Sequence, residues 1–176
     1  DRFYFSGGLE PLTNPEIGLL ISYSRELDFK TSMYTNGYML TPKYLAKNQG
    51  IWELDALRLS LYGLDEPSAV AVTGKRGSYD RVIDNVSNYL QLKEEVQSNT
   101  KFGINFVILP QNIDSLFKLA NLVCDLNKEN DRQGVAFITL REDFSILPEE
   151  GIATDDRNRM LEIFEEFEYQ VGAGVS

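Results

Sequence analysis

The chain has 176 residues, 43% hydrophobic and 25% charged, which is typical of one globular domain with a real core. Its formal net charge of −10 disfavours nucleic acid and anionic membrane surfaces as partners, because both are polyanions. There is no histidine and one cysteine, Cys124, which excludes histidine-dependent catalytic triads, the common zinc sites and an internal disulfide. No apolar run approaches the roughly 20 residues that span a bilayer, and the lone cysteine favours a reducing, cytoplasmic location.

Hydrophobic patterning predicts strands and helices in alternation along the whole chain. The predicted strands are 3–6, 30–34, 56–61, 101–109 and 134–140. The predicted helices are 15–27, one beginning at Thr41-Pro42, 79–96, 113–130 and 155–167, the last with Met160, Leu161, Phe164 and Phe167 facing inward. Five strand–helix units predict an α/β fold with a parallel sheet, either an open doubly wound sheet or part of a barrel.

Each predicted strand ends in polar or glycine residues. The carboxyl ends of parallel strands meet at one rim, so these ends predict a small-molecule site there. The first of them, Gly7-Gly8-Leu9-Glu10, is the most informative. Its glycines allow close approach of the backbone to a ligand, and its carboxylate can receive an amine. The strand ends are 7–10, 35–37, 60–63, 110–112 and 141–143.

Other ligand motifs are absent or weak. No Gly-x-Gly-x-x-Gly follows a predicted strand, and the residues around Gly74-Lys75 do not complete a phosphate-binding loop. Glu142 and Asp143 offer oxygen ligands for Mg²⁺, but adjacent strand residues point to opposite faces, which disfavours a shared ion.

Three strand ends resemble those of radical S-adenosylmethionine (SAM) enzymes: Gly7-Gly8-Leu9-Glu10-Pro11, Tyr34-Thr35-Asn36-Gly37 and Leu59-Ser60-Leu61-Tyr62-Gly63. The stretches 72–79 and 139–145 are most similar to the dTDP-4-amino-4,6-dideoxyglucose deaminase subfamily. The resemblance covers nearly the whole chain. It implies a partial parallel (β/α)6 barrel of TIM-like type, with residues 1–176 supplying the second to sixth units as a single core fragment.

The resemblance also implies which residues bind the cofactor and the substrate. Gly7, Gly8 and Glu10 are expected to hold the amino group of SAM, although Leu9 departs from a frequent third glycine. Ser60 and Asn105 are expected at its ribose or carboxylate. The cofactor-binding residues implied are Gly7, Gly8, Glu10, Asn36, Ser60, Lys75, Arg76 and Asn105, with Lys75 or Arg76 pairing with the carboxylate. The substrate-side residues are Tyr34, Tyr62 and Arg141, whose alternative roles are barrel packing for the tyrosines and a surface ion pair for Arg141.

The implied activity is release of a 5′-deoxyadenosyl radical that abstracts hydrogen from the substrate, after which a nucleotide-linked amino sugar loses ammonia. The family holds a 4Fe-4S cluster with Cys-x-x-x-Cys-x-x-Cys, and the single Cys124 cannot do so. We therefore expect an inactive fragment whose parent carries the cluster and uses an electron donor. A peptide or another small amine is the competing substrate. The alternative function is a non-catalytic ligand-binding or scaffold domain without a cluster.

Overall fold

The computed structural model describes residues 1–108, 112, 115–129, 134–142, 158–159, 161–163, 165–166 and 169. Its strands are β1 (Arg2–Phe5), β2 (Lys30–Thr35), β3 (Ala56–Leu61), β4 (Lys101–Ile108) and β5 (Val135–Glu142). Its helices are α1 (Ile17–Glu26), α2 (Pro42–Lys47), α3 (Glu66–Thr73), α4 (Ser78–Glu95) and α5 (Leu116–Glu129). Short 3₁₀ helices cover Pro11–Thr13 and Gln49–Glu53.

The five strands form one parallel sheet in the order β1-β2-β3-β4-β5. Strand order therefore follows chain order, as in a barrel that winds in one direction, and not the reversing order of a doubly wound sheet. Among the described residues β1 and β5 each pair on one side only, so the barrel is open. The predicted α/β class and parallel sheet are confirmed.

One face of the sheet carries the hydrophobic core. On β3 the side chains of Leu57, Leu59 and Leu61 are buried, whereas Arg58 and Ser60 between them are only half-buried. The core combines such strand residues with apolar side chains of the helices, including Tyr89 and Leu90 of α4. We call the opposite face, which carries Arg58 and Ser60, the inner face. The alternation along β3 shows that the sheet separates a packed outer layer from an inner polar surface.

Local sequence signals account for the helix starts. Thr41 caps α2 by accepting a hydrogen bond from the Tyr44 amide, with Pro42 at the first position as predicted. The sequence prediction missed α3, although Asp65 and Ser68 form a reciprocal capping box at its start. Lys118 of α5 donates a 2.6 Å hydrogen bond to the Asp65 carboxylate, which joins the two helices.

Two predicted boundaries differ from the structure near the C-terminal end. β5 continues through Arg141 and Glu142, which were predicted to begin the following loop. In the predicted last helix the described residues are helical, but Leu161 is 60% exposed and Ile163 is the buried residue, so the predicted inward face was wrong at Leu161. The side chains of Met160, Phe164 and Phe167 lie outside the described residues. Within the described part of the chain, no helix has the length and apolar character needed to cross a membrane.

Candidate functional site

Glu10 lies between the end of β1 and the end of β2 and is held by protein donors. Its Oε1 accepts hydrogen bonds from the Thr35 hydroxyl at 2.6 Å and the Leu12 amide at 3.3 Å, and its Oε2 accepts one from the Asn36 amide at 2.8 Å. A carboxylate offers about four acceptor positions, so the described residues leave one position, on Oε2, unoccupied. The predicted amine-binding carboxylate is therefore fixed in place and retains one acceptor for a ligand.

The charge of Glu10 affects the pKa of a neighbouring side chain, Tyr44. Tyr44 donates a hydrogen bond from its hydroxyl to the Asn14 carbonyl oxygen at 3.2 Å. Burial, and after it the negative charge of Glu10, raises the pKa of Tyr44 above its ordinary value. The region around Glu10 therefore has a negative potential, which favours a cationic ligand group.

Gly7 and Gly8 form an exposed loop before Glu10. Gly7 has a φ of 149°, a backbone conformation that residues with a Cβ rarely adopt. A Cβ built on either glycine would meet no atom within 4 Å. The space beside this backbone is open to a ligand.

A pocket of about 200 Å³ lies at the carboxyl ends of β2 and β3, between the sheet and the start of α4. Four predicted site residues line it: Asn36, Ser60, Tyr62 and Lys75. Asn36 links the pocket to Glu10 through its backbone amide. At this size the pocket has room for only part of a ligand, since whole-ligand pockets are about 300–1,000 Å³.

The sequence prediction missed two tyrosines that line the same pocket, Tyr38 and Tyr79. The Lys75 ammonium lies 5.5 Å from the centroid of the Tyr38 ring. Burial, followed by the charges of Asp65 and Asp80, raises the pKa of Tyr79. A signal for both was present, because Tyr38 follows the Asn36-Gly37 turn and Tyr79 ends the 72–79 stretch.

Asn105 lies on the inner face of β4, directly beside Ser60 in the strand register. It is 6% exposed, and its Oδ1 has no hydrogen-bond partner within the described part of the chain. A buried acceptor without a partner is costly, so this oxygen is available to a ligand that brings a donor, such as a ribose hydroxyl.

The other predicted residues are placed apart from the 200 Å³ pocket. Arg76 is exposed, and Arg141 is an exposed residue within β5, opposite Val107. Tyr34 lies on the inner face of β2, where its ring contacts the Arg58 guanidinium at 5.6 Å. None of the three lines that pocket. Of the ends predicted to form the rim, residues 110–111 and 143 lie outside the described residues.

The residues at the rim fit SAM. The open glycine backbone, the remaining acceptor of Glu10 and the partnerless amide oxygen of Asn105 suit an amino acid group and a ribose. The residues do not fit a 4Fe-4S cluster. Cys124 is the chain's single thiol, and no group of three His, Cys, Asp or Glu side chains that could hold a metal occurs within the described ranges.

A parallel sheet whose strands follow chain order, with potential ligand-binding side chains at the carboxyl ends of the strands, is the architecture of a barrel enzyme domain. Comparison with known families identifies the domain: residues 1–123 match the model of the Radical SAM superfamily. The chain belongs to this superfamily, whose members use SAM and a 4Fe-4S cluster. The resemblance seen in the sequence is confirmed.

The chain is similar to dTDP-4-amino-4,6-dideoxy-D-glucose ammonia-lyase from Streptomyces venezuelae, with 34% identity over 168 residues, 96% of this chain and 35% of that protein. It thus spans about a third of the length of this curated relative. Two solved structures share the fold. Streptococcus suis SuiB bound to SAM has a TM-score of 0.65 at 21% identity, covering 93% of this chain and 36% of that one. TYW1 with a lysine-pyruvate adduct has a TM-score of 0.67 at 18% identity, covering 94% of this chain and 50% of that one.

Proposed function

We propose that residues 1–176 form the SAM-binding part of an enzyme that removes ammonia from a nucleotide-linked amino sugar. The observation that carries this proposal is the pair of hydrogen bonds from Thr35 and Asn36 to Glu10, because they hold the carboxylate beside the pocket at the strand ends. The choice of substrate is supported by the 34% identity to an amino-sugar ammonia-lyase over 96% of the chain.

In this proposal the remaining acceptor of Glu10 receives a hydrogen bond from the ammonium group of SAM. The backbone of Gly7 and Gly8 lies against the same end of the cofactor. Ser60 and Asn105 contact the ribose or the carboxylate, and the Asn105 Oδ1 gains the partner that the described residues do not supply. Burial of these polar groups then costs less, since each has a partner.

Basic and aromatic groups complete the proposed site. Lys75 or Arg76 neutralises the cofactor carboxylate, and Asn36 orients Glu10. Tyr34, Tyr62 and Arg141 orient the substrate and limit the access of water. When bound, SAM would supply the 5′-deoxyadenosyl group that, as a radical, abstracts hydrogen from the substrate. The cluster ligands would come from parts of the enzyme other than residues 1–176. An external electron donor would supply the electron, and the proposed location is the cytoplasm.

The first test is calorimetric titration of the protein with SAM. Glu10→Gln keeps the size of the side chain and removes its charge, so we expect affinity to fall roughly tenfold to a hundredfold through loss of a charge-assisted hydrogen bond. Glu16→Gln is the matched control, because Glu16 is exposed and its side chain caps no helix amide. Equal affinity of the Glu10→Gln and unmodified proteins would remove the assigned role of Glu10.

The second test separates an enzyme from a non-catalytic ligand-binding or scaffold domain, which the single cysteine favours. The full-length gene product is purified without oxygen and supplied with SAM, a chemical reductant and dTDP-4-amino-4,6-dideoxyglucose. The enzyme predicts iron–sulfur absorbance and substrate-dependent release of 5′-deoxyadenosine and ammonia. SAM binding without either signal would support the scaffold.

A further inference from the structure

Arg58 is a half-buried cation on the inner face of β3, and the described residues give it no counterion. None of the ion pairs among the described residues includes it. Asp55, three positions earlier, is already paired with Arg25 at 2.8 Å. Charged side chains are seldom buried without a partner of opposite charge. A bound anion would therefore stabilise Arg58 in this position.

The guanidinium is held in a fixed place by residues of two other strands, β2 and β5. Its Cζ lies 4.5 Å from the ring centroid of Phe137 and 5.6 Å from that of Tyr34, and its Nη1 donates a 3.2 Å hydrogen bond to the Thr139 hydroxyl. Arg58 and Phe137 come from β3 and β5, with β4 between them. Stacked and hydrogen-bonded in this way, the guanidinium is oriented before any ligand arrives.

Gly103 on β4 makes this stacking possible. It lies between Arg58 and Phe137 in the strand register. A Cβ at this position would overlap the Phe137 ring. The missing side chain thus lets the ring lie across β4 and reach the guanidinium of the strand beyond it.

The fixed guanidinium still has an unused donor. Its Nε is buried and has no hydrogen-bond partner within the residues that the structure describes. Leaving a buried N–H without an acceptor is unfavourable, and more so when the group is charged. A ligand oxygen would remove this penalty and supply the missing negative charge at the same time.

Arg58 and Phe137 line a cavity of about 1220 Å³ that opens at the amino ends of the strands, away from the SAM pocket. Its described lining is strongly cationic although the chain as a whole has a net charge of −10. The two acidic side chains are Glu53 and Asp55. The five basic side chains are Arg2, Arg25, Lys30, Arg58 and Lys101. This excess of positive charge around one cavity attracts anions.

We propose that Arg58 binds a phosphate oxyanion in this cavity. Resting on the proposed function, we identify the ligand group as the diphosphate of the nucleotide-linked substrate. Guanidinium groups match phosphate oxygens in geometry, and several cations around one cavity suit a multiply charged diphosphate better than a single carboxylate. The inner face then has two regions. SAM lies at the carboxyl ends of the strands, and the substrate diphosphate lies at Arg58, nearer their amino ends.

The test is calorimetric titration of the protein with inorganic pyrophosphate and with thymidine 5′-diphosphate at low salt. We expect Arg58→Gln to weaken the binding of both roughly tenfold to a hundredfold, because a charge-assisted hydrogen bond is lost. Arg58→Lys keeps the charge without the planar group and is expected to lose less. Arg81→Gln is the matched control, since Arg81 also stacks on a tyrosine, Tyr38 at 4.0 Å, but lies outside the cavity.

Titration of the same variants with SAM separates this proposal from the proposed function. Unchanged SAM affinity with lost pyrophosphate affinity in Arg58→Gln supports both. Lost pyrophosphate affinity in a protein that does not bind SAM supports the phosphate site and removes the proposed function. Pyrophosphate affinity unchanged in Arg58→Gln overturns the phosphate site, as does a loss confined to SAM. If Arg58→Gln does not fold by circular dichroism, pyrophosphate binding by folded Arg58→Lys equal to that of the unmodified protein overturns it.

Discussion

At residue scale, Gly103 determines the arrangement of the inner face by the side chain that it lacks. The ring of Phe137 occupies the volume that a Cβ at position 103 would take. Interiors are packed too densely to absorb even one added carbon without movement. Any larger residue at this position must therefore displace Phe137, and with it the surface on which Arg58 stacks.

We predict that Gly103→Ala lowers the free energy of unfolding by about 1–3 kcal/mol, the usual cost of an overpacked interior. Urea denaturation followed by circular dichroism measures this change. Gly8→Ala is the control, because its Cβ meets open space, and its expected change is within about 0.5 kcal/mol. Equal stability of Gly103→Ala and the unmodified protein would show that Phe137 has another favourable position.

Among individual residues, the sequence indicated Glu10 through its local signal, but it missed Tyr38 and Tyr79 and gave no indication of the contacts of Arg58. Glu10 was predicted from its own loop, and the structure places its carboxylate beside the pocket through Asn36. Arg58 was not among the predicted site residues, although the alternation along β3 places it on the same face as Ser60. Its contact with Thr139 joins positions 81 residues apart, and such a pairing follows from strand register, which the local pattern does not contain.

At the scale of single elements, α3 depends on the residue that caps its start, Asp65. Asp65 accepts hydrogen bonds from the Ser68 amide at 3.0 Å and from Lys118 at 2.6 Å. The bond from Lys118, and after it those from Ser68, hold the pKa of Asp65 well below its ordinary value of 3.8. The ionised carboxylate therefore stabilises the folded state, and this contribution is present above pH 3.8 and lost as pH falls through the folded pKa.

We predict that Asp65→Asn lowers the free energy of unfolding at pH 7 by about 1 kcal/mol, because asparagine still caps a helix while the exposed ion pair adds little. The difference from the unmodified protein should shrink below pH 3.8, where Asp65 itself becomes protonated. Urea denaturation across this pH range measures it. Asp84→Asn, at an exposed position within α4, removes the same charge without a cap. A difference that is constant with pH would contradict the role of the ionised form.

The elements themselves were predictable to different degrees. Strands β2 to β4 and helix α4 have clear hydrophobic periods, and the structure confirms them within a few residues. The helix α3 was missed because Glu66-Pro67 follows a glycine-containing strand end and suggests a turn, although Asp65 and Ser68 give the capping signal. In the last helix, apolar residues at positions 160, 161, 163 and 164 leave more than one possible inward face, and among the described side chains it is Ile163 that is buried.

At the scale of the whole molecule, apolar surface is exposed where the sheet is open. Within the described residues β1 has no partner on its outer side, and Phe3 and Tyr4 are 44% and 47% exposed. On α1, Leu19 and Tyr23 lie one turn apart and are exposed as well. Open strand edges and apolar patches favour association.

We predict that the 176-residue chain self-associates as its concentration rises, and more strongly with added salt, because salt screens repulsion between copies of charge −10. Sedimentation velocity measures the fraction associated. The double variant Leu19→Lys, Tyr23→Lys should reduce it, whereas Val72→Lys, at an exposed position of α3, should not. Association that is unchanged in the double variant would move the contact away from α1.

The three hydrogen bonds to Glu10 have a consequence for how this position can vary. The same carboxylate ties the first strand–helix loop to β2 and, in the proposed site, offers one acceptor to the ligand. A substitution that alters one task alters the other, so ligand affinity and local rigidity cannot be adjusted separately there. Engineering a changed cofactor preference in the proposed site must therefore begin at other rim positions, such as Lys75 or Tyr62, whose side chains join no two strands within the described part of the chain.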